Sequence, residues 1–138
     1  MPARDSIHNA VKTALTKEGW KITHDPFPLP FGDRDVYADL GAERAIAAER
    51  GDEKIAVEVK SFSGASEVHD LEVALGQFVF YRHLLSRRDP GREMWLAIPD
   101  EAYVSVLGDV AGMELLAGVG VKLFTIDPGS AEVVRWLK

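Results

Sequence analysis

Two acidic residues and one lysine lie on neighbouring segments of the chain whose patterns predict extended structure. Asp39 belongs to the segment Val36–Leu40, whereas Glu58 and Lys60 belong to the strictly alternating segment Lys54–Lys60. A β-hairpin of these two segments would bring two carboxylates and an amine close together. Three such groups suit the metal-assisted cleavage of a phosphodiester.

The alternation of the second segment predicts a strand with two different faces. Alternate side chains of a strand share one face at a spacing of about 6.6 Å. Ile55, Val57 and Val59 should therefore form the core face. Glu58 and Lys60 should project together toward solvent. A simpler interpretation is that these two residues form only a surface ion pair, which contributes about 0–1 kcal/mol.

Each of the three groups has a separate task in a metal-dependent reaction. We assign Asp39, Glu58 and the backbone carbonyl of Val59 as candidate ligands of Mg²⁺ or Mn²⁺, because these ions prefer hard oxygen ligands. A bound ion would stabilise charge on phosphoryl oxygens and lower the pKa of bound water. Lys60 would orient the attacking water or neutralise the developing negative charge.

A rival to Asp39 lies four residues further along the chain. Glu43 shares strand parity with Asp39 if no bulge intervenes, and Gly41 between them is a position where we expect a bulge. Asp39 is the preferred ligand and Glu43 is the alternative. Asp5 is a further acid, but its simpler role is to cap the first helix.

Hydrophobic periodicity predicts the helices around these segments. The first helix is capped by Asp5 or Ser6 and ends at Gly19, and its buried stripe comprises Ile7, Ala10, Val11, Ala14 and Leu15. The second helix is capped by Ser66 and ends at Ser86–Arg88, and its predicted core stripe comprises Val68, Leu71, Leu75 and Phe78. Gly76 inside this helix indicates close packing, because glycine costs roughly 1 kcal/mol there relative to alanine.

The remaining segments predict a mixed sheet. A third helical region spans about Glu101–Ala117, with Gly108 and Gly112 as possible points of division, and three prolines make Asp25–Gly32 an extended loop that cannot enter a sheet interior. The predicted strands are Trp20–Thr23, Val36–Leu40 with a continuation over Ala45–Glu49, Lys54–Lys60, Met94–Ile98, Val121–Ile126 and Glu132–Leu137. This order predicts an α/β or α+β fold with helices packed on the sheet.

The composition is that of one globular domain. Of 138 residues, 46% are hydrophobic and 28% are charged, and we treat residues 1–138 as a single domain. The lack of cysteine excludes disulfides and thiolate zinc sites, and the four histidines show no metal-ligand spacing. No secretion signal or run of about 18 apolar residues is present, so we expect a cytoplasmic protein without a membrane partner.

The charge balance argues against a module that holds nucleic acid by electrostatics alone. The formal net charge is -6, whereas phosphate binding depends largely on lysine and arginine. Arg82, Arg87, Arg88 and Arg92 form the one local concentration of positive charge in the sequence, and they either contact phosphates or complement a helix dipole. We therefore expect weak binding of DNA by the protein alone, and a protein partner that supplies positive charge or sequence recognition.

The arrangement of acids and lysine resembles the signature of the PD-(D/E)XK nuclease superfamily. Asp39 matches the first acid and Glu58-Val59-Lys60 matches the second part of the motif, although Ala38 replaces the proline that normally precedes the aspartate. The resemblance implies a restriction-endonuclease-like fold, in which a mixed β-sheet is flanked by helices.

A second element of that superfamily has a counterpart on the second helix. Gln77 and Tyr81 are four residues apart and share one helical face, and they resemble the Gln-x-x-x-Tyr element of RecB-like members. In those relatives this helix lies beside the active site. The resemblance therefore implies that Gln77 and Tyr81 support the catalytic set.

A larger part of the chain resembles the XisH family, the fdxN element excision controlling factors. The matching stretches are Ala3–His8, Gly19–Pro26, Asp39–Glu43, Ile55–Phe62, and Gly76-Gln77 with Tyr81. This resemblance implies a link to the programmed excision of a DNA element in cyanobacteria, with a companion excision factor or a recombinase as partner. A homodimer is compatible with the sequence.

Two hypotheses about function remain open at this stage. The first is a Mg²⁺-dependent DNA endonuclease-like protein, and the second is a catalytically silent regulatory or scaffold protein that acts on a recombinase through protein contacts. The acidic net charge favours the second hypothesis.

Overall fold

A computed structural model describes residues 3–45 and 52–138 of the chain. Its strands are β1 (Lys21–His24), β2 (Phe27–Pro28), β3 (Tyr37–Ala38), β4 (Leu40–Ala45), β5 (Asp52–Val59), β6 (Glu93–Pro99), β7 (Leu123–Asp127) and β8 (Glu132–Leu137). Its helices are α1 (Ala3–Lys17), α2 (Glu67–Arg88), α3 (Asp100–Ala102) and α4 (Val110–Val119), with a π-helical turn, Tyr103–Leu107, between α3 and α4.

The main sheet has six strands in the order β1-β4-β5-β6-β7-β8. Strands β5, β6 and β7 run parallel, and antiparallel neighbours flank them on both sides. The proline-containing segment stays outside this sheet, because β2 pairs with β3 in a separate two-stranded sheet. The predicted mixed sheet flanked by helices is thereby confirmed.

Helices cover both faces of the main sheet. One hydrophobic cluster joins α1 to the first face and includes Val11, Leu15, Val57, Trp95 and Phe124. A second cluster joins α2 and α4 to the opposite face and includes Ala56, Phe78, Leu96, Leu116 and Leu123. The prediction that Glu58 projects toward solvent is therefore wrong, since every residue from Ile55 to Val59 is buried.

The helix boundaries partly follow the sequence signals. Helix α1 buries its predicted apolar stripe, but it starts at Ala3, so Asp5 and Ser6 lie within it and do not precede it. Ser66 caps α2 as predicted, because its Oγ accepts a hydrogen bond from the N–H of His69 at 3.2 Å. The third helical region divides at Gly108, and Gly112 lies inside α4.

The inner face of α2 differs from the predicted stripe in its first turns. Val68 is 62% exposed, while Asp70 is buried and accepts a hydrogen bond from the N–H of Gly64 at 3.0 Å. Gly76 faces open space, because a Cβ added there would have no neighbouring atom within 4 Å. The predictions of a buried Val68 and of close packing at Gly76 are therefore wrong.

The predicted hairpin is confirmed in its paired part. Strands β4 and β5 are antiparallel, with an unbroken register from Leu40 opposite Val57 to Ala45 opposite Asp52. Beyond Ala45, the predicted continuation of this strand as far as Glu49 lies outside the described residues. Among the described residues, no single helix has the length and apolar character needed to cross a membrane, but the bent pair Asp100–Leu107 and Val110–Val119 passes together on these two criteria.

Candidate functional site

The register between β4 and β5 brings Asp39 next to Glu58. Leu40 pairs with Val57, and one further pair in the same register would place Asp39 opposite Glu58. Directly opposed residues of an antiparallel pair project to the same face. The segments that carry Asp39 and Glu58 are thus adjacent in the fold.

A hydrogen bond fixes the position of Asp39. The backbone N–H of Val59 donates to Oδ2 of Asp39 at 2.8 Å, and this contact is buried. Asp39 lies at the bend where the chain passes from β3 into β4. The backbone pairing of β4 with β5 begins only at Leu40, and the Asp39 side chain serves as the acceptor for the Val59 N–H. Asp39 is 6% exposed and Glu58 is 5% exposed, so both carboxylates are held in an interior environment.

Lys60 lies immediately beyond the end of β5. Its backbone N–H donates to the carbonyl of Ala97 at 2.9 Å, which continues the pairing with β6. By strand alternation its side chain follows that of Glu58 on the face covered by α2. Lys60 is half-buried, whereas Glu58 and Val59 are buried, so Lys60 is the most solvent-accessible of these three residues.

The connection from Lys60 to α2 is anchored by a residue whose role the sequence analysis missed. The carboxylate of buried Asp70 accepts a hydrogen bond from the N–H of Gly64 and so ties the connection to the first turn of α2. A Cβ on Gly64 would lie 2.8 Å from Oδ1 of Asp70, so only glycine permits this approach. A glycine followed six residues later by an acid in the first turn of a helix was the available signal.

Glu43 occupies a different part of the sheet. Its Cα is opposite Lys54 in β5, and its carboxylate accepts a hydrogen bond from Nη2 of Arg92 at 3.0 Å. The predicted bulge at Gly41 is wrong, because the register of β4 against β5 runs unbroken through Gly41, and the register shift lies in β1, between Ile22 and His24. The β4–β5 register is undisturbed, and consequently the fold brings Asp39, and not Glu43, to Glu58.

Gln77 and Tyr81 lie one helical turn apart on the part of α2 that covers the Glu58 face. Both side chains are half-buried, and Tyr81 packs against the hydrophobic cluster under α2. Within the part of the chain that the structure describes, Oε1 of Gln77 is buried and accepts no hydrogen bond. This amide therefore retains hydrogen-bonding capacity inside the molecule.

Asp39, Glu58 and Val59 offer oxygen atoms, the ligand type that hard metal ions prefer. Among the described residues, no group of three or more His, Asp or Glu side chains gathers as a metal cage. Asp39, Glu58 and a backbone carbonyl at Val59 would together give two carboxylates and one neutral oxygen. Mg²⁺ is commonly held by one or two carboxylates while it retains several waters, so these residues fit such an ion.

The predicted concentration of positive charge is divided between the interior and the surface. Arg92 is 7% exposed and bonds to Glu43, Asp89 and the carbonyls of Ala42 and Ile55. Arg82 donates to the carbonyls of Val119 and Gly120 at the end of α4. Arg87 and Arg88 remain exposed in the last turn of α2. Of these four arginines, Arg87 and Arg88 are the two that an external phosphate could reach.

The histidines that the structure places near α1 and β1 have structural contacts. Nε2 of His8 lies 2.8 Å from Oδ1 of Asp25, and Lys12 bonds to the other oxygen of the same carboxylate. Burial acts to raise the pKa of Asp25, but the hydrogen bonds from Lys12 and His8 lower it overall. Burial, together with the nearby Arg92 guanidinium, lowers the pKa of His24.

Comparisons with known proteins agree on one family. A family model described as XisH protein matches residues 1–134. The crystal structure of an XisH family protein from Nostoc punctiforme PCC 73102 is 38% identical, with a TM-score of 0.86, and the match covers 97% of this chain and 100% of that chain. The crystal structure of a fdxN element excision controlling factor protein from Anabaena variabilis is 36% identical, with a TM-score of 0.87, and the match covers 98% and 100% of the two chains. No curated protein matches. This chain belongs to the XisH family.

Proposed function

We propose that this protein is a Mg²⁺-dependent, endonuclease-like protein that acts on DNA in the control of programmed excision of a DNA element. The observation that carries the proposal is the buried hydrogen bond from the N–H of Val59 to Asp39, which holds one carboxylate against the backbone of the residue between Glu58 and Lys60. The name of the Anabaena variabilis protein, fdxN element excision controlling factor, supports the context of DNA excision.

Each residue of the site has a defined role in this proposal. Asp39, Glu58 and the carbonyl of Val59 would hold the ion, which supplies charge neutralisation at phosphoryl oxygens and a bound water of lowered pKa. Lys60 would donate a hydrogen bond to the scissile phosphate or to the attacking water, because it is the charged group of this strand end that is half-buried. Gln77 and Tyr81 would support the catalytic set from the side of α2.

A nicking assay tests the catalytic role. The purified protein should nick supercoiled DNA in Mg²⁺ or Mn²⁺ and should be inactive in EDTA. Glu58→Gln keeps the shape of the side chain but removes its charge, so nicking should fall to the background rate. Asp52→Asn, at the exposed start of the same strand, is the matched control and should cleave at the wild-type rate. Equal rates in wild type and Glu58→Gln would remove Glu58 from the mechanism.

A second candidate is favoured by the burial of the two acids. Asp39 and Glu58 are each at least 94% buried, which restricts the access of a substrate phosphate. On this reading the protein is a catalytically silent regulatory or scaffold protein that acts on a recombinase through protein contacts. Calorimetric titration with Mn²⁺ discriminates the two candidates. A heat of Mn²⁺ binding that the wild type shows and Glu58→Gln does not supports a metal site. If the wild type shows no heat of binding at millimolar Mn²⁺, the scaffold candidate is supported.

A further inference from the structure

The rings of Phe31 and Phe80 are exposed on the surface and are not buried in the core. Phe31 is 48% exposed and Phe80 is 37% exposed, and their ring centroids are 5.3 Å apart in an edge-to-face arrangement. Phe80 in turn lies 5.9 Å from the ring of Tyr81. The aromatic surface is therefore continuous with a residue of the candidate site.

The backbone around Phe31 holds its ring in place. The N–H of Phe31 donates to the carbonyl of Arg34, and the N–H of Arg34 donates to the carbonyl of Phe31, both at 3.0 Å. Behind this turn, the N–H of Leu29 donates to the carbonyl of Val36 at 2.6 Å. These bonds close the turn and so fix the backbone from which the Phe31 ring projects, and less backbone order then has to be gained when a partner binds.

Positive charge lies beside the Phe31 ring. A concavity of about 510 Å³ is lined by Pro30, Phe31, Gly32, His83, Leu84, Arg87 and Arg88. No carboxylate lines it, although Asp33 and Asp35 are on the same loop as Phe31.

The arginines of this concavity differ from most others in the described part of the chain. Arg44, Arg92 and Arg135 are paired with carboxylates. By contrast, Arg87 and Arg88 form no salt bridge among the described residues, and both are exposed. The contact of the Arg88 guanidinium is with the Phe27 ring, whose centroid lies 5.4 Å away. The net charge of the chain is -6, yet among the described residues these two arginines have no carboxylate partner. Positive charge near an exposed ring is complementary to a polyanion that carries aromatic groups.

We propose that Phe31, Phe80, Arg87 and Arg88 form a binding surface for single-stranded DNA. Unpaired bases would stack on the two rings, and the phosphates between them would contact the two guanidinium groups. Duplex DNA fits less well, since its bases are already stacked and only the arginines could contribute. The inference rests on the proposed function for its biological context, because it names the form of DNA presented to the candidate site, but binding as such needs neither metal nor cleavage.

Fluorescence anisotropy with a labelled oligo-dT strand tests this surface in EDTA, where no cleavage occurs. The double variant F31A/F80A removes both rings. It should bind at least about fivefold more weakly, because the loss of even one stacked base has an effect of that size. F80Y keeps a ring and should bind like the wild type. Met113→Ala removes an exposed apolar side chain from α4 and is the matched control, with unchanged binding expected. R87Q/R88Q should weaken binding and reduce its salt dependence.

The possible outcomes separate this inference from the proposed function. Glu58→Gln should bind oligo-dT like the wild type, and a lack of nicking with intact binding contradicts only the nuclease. Equal or tighter binding of a duplex of the same length would overturn the single-strand proposal. Unchanged oligo-dT binding by F31A/F80A would also overturn it. A recombinase that binds the wild-type surface while oligo-dT does not would identify the surface as a protein-docking site and reject the inference.

Discussion

The side chain of Asp39 accepts a hydrogen bond from the backbone N–H of Val59 at 2.8 Å, in the interior of the protein. This bond connects the bend before β4 to the last residue of β5. Asp39 therefore has a structural role that is separable from any role in metal binding, and the two roles predict different consequences for different substitutions.

The first prediction uses this separation. Asp39→Ala should lower the free energy of unfolding by about 1–3 kcal/mol, because it leaves the buried Val59 N–H without an acceptor. Asp39→Asn keeps an oxygen acceptor and should lose less stability, while it loses the negative charge that a metal requires. Urea unfolding measures stability, and amide exchange of Val59 reports the bond directly. An equal loss of stability in both variants would contradict the structural role of this oxygen.

The sequence was sufficient to predict the pairing that builds the site. Strict alternation over Lys54–Lys60 indicated a strand, and a preceding extended segment placed Asp39 within reach of Glu58. Burial of Glu58 was not predicted, because alternation reveals one apolar face but does not reveal that a distant helix covers the other. The identity of α2 as that cover depends on long-range packing with residues such as Phe78 and Leu96.

The competition between Asp39 and Glu43 shows the same limit. Both acids lie on β4 and its approach, and local spacing could not separate them. The register of β4 against β5 places Glu43 opposite Lys54, and there Arg92, buried immediately before β6, bonds to Glu43 across the sheet. A partner so far along the chain is determined by strand order, and strand order is not encoded in a local pattern.

The second prediction concerns Arg92. Arg92→Met should lower the free energy of unfolding by about 2–3 kcal/mol, because it removes charged hydrogen bonds to Glu43 and to two backbone carbonyls. This loss of stability is smaller than for a fully buried ion pair. The Glu43 side chain is 30% exposed, so water can solvate its carboxylate once Arg92 is removed. Lys12→Met breaks the exposed pair with Asp25 and should cost at most about 1 kcal/mol. Urea unfolding of the two variants makes the comparison, and equal losses would refute it.

The third prediction concerns stability at acidic pH. Hydrogen bonds from Arg135 and Thr125 lower the pKa of Asp100 below its ordinary value of 3.8. A carboxylate with a lowered pKa in the folded state stabilises the protein above that ordinary value, and this contribution is lost as the pH falls through the lowered pKa. Asp100→Asn should therefore be less stable than the wild type at pH 7, and the difference should shrink below about pH 4. Thermal unfolding between pH 3 and 7 measures it, and a difference that grows at low pH would contradict the assignment.

The fourth prediction compares two glycines whose surroundings in the fold differ in a way that the sequence does not reveal. A Cβ on Gly41 would lie 2.6 Å from Cδ2 of Phe27 and 3.0 Å from Nδ1 of His24, whereas a Cβ on Gly76 would meet nothing within 4 Å. Gly41→Ala should therefore lower the free energy of unfolding by about 1–3 kcal/mol through overpacking. Gly76→Ala should raise it by up to about 1 kcal/mol, because alanine favours an exposed helical position. Urea unfolding of both variants tests the contrast. A Gly41→Ala protein as stable as the wild type would mean that β4 does not approach Phe27 closely.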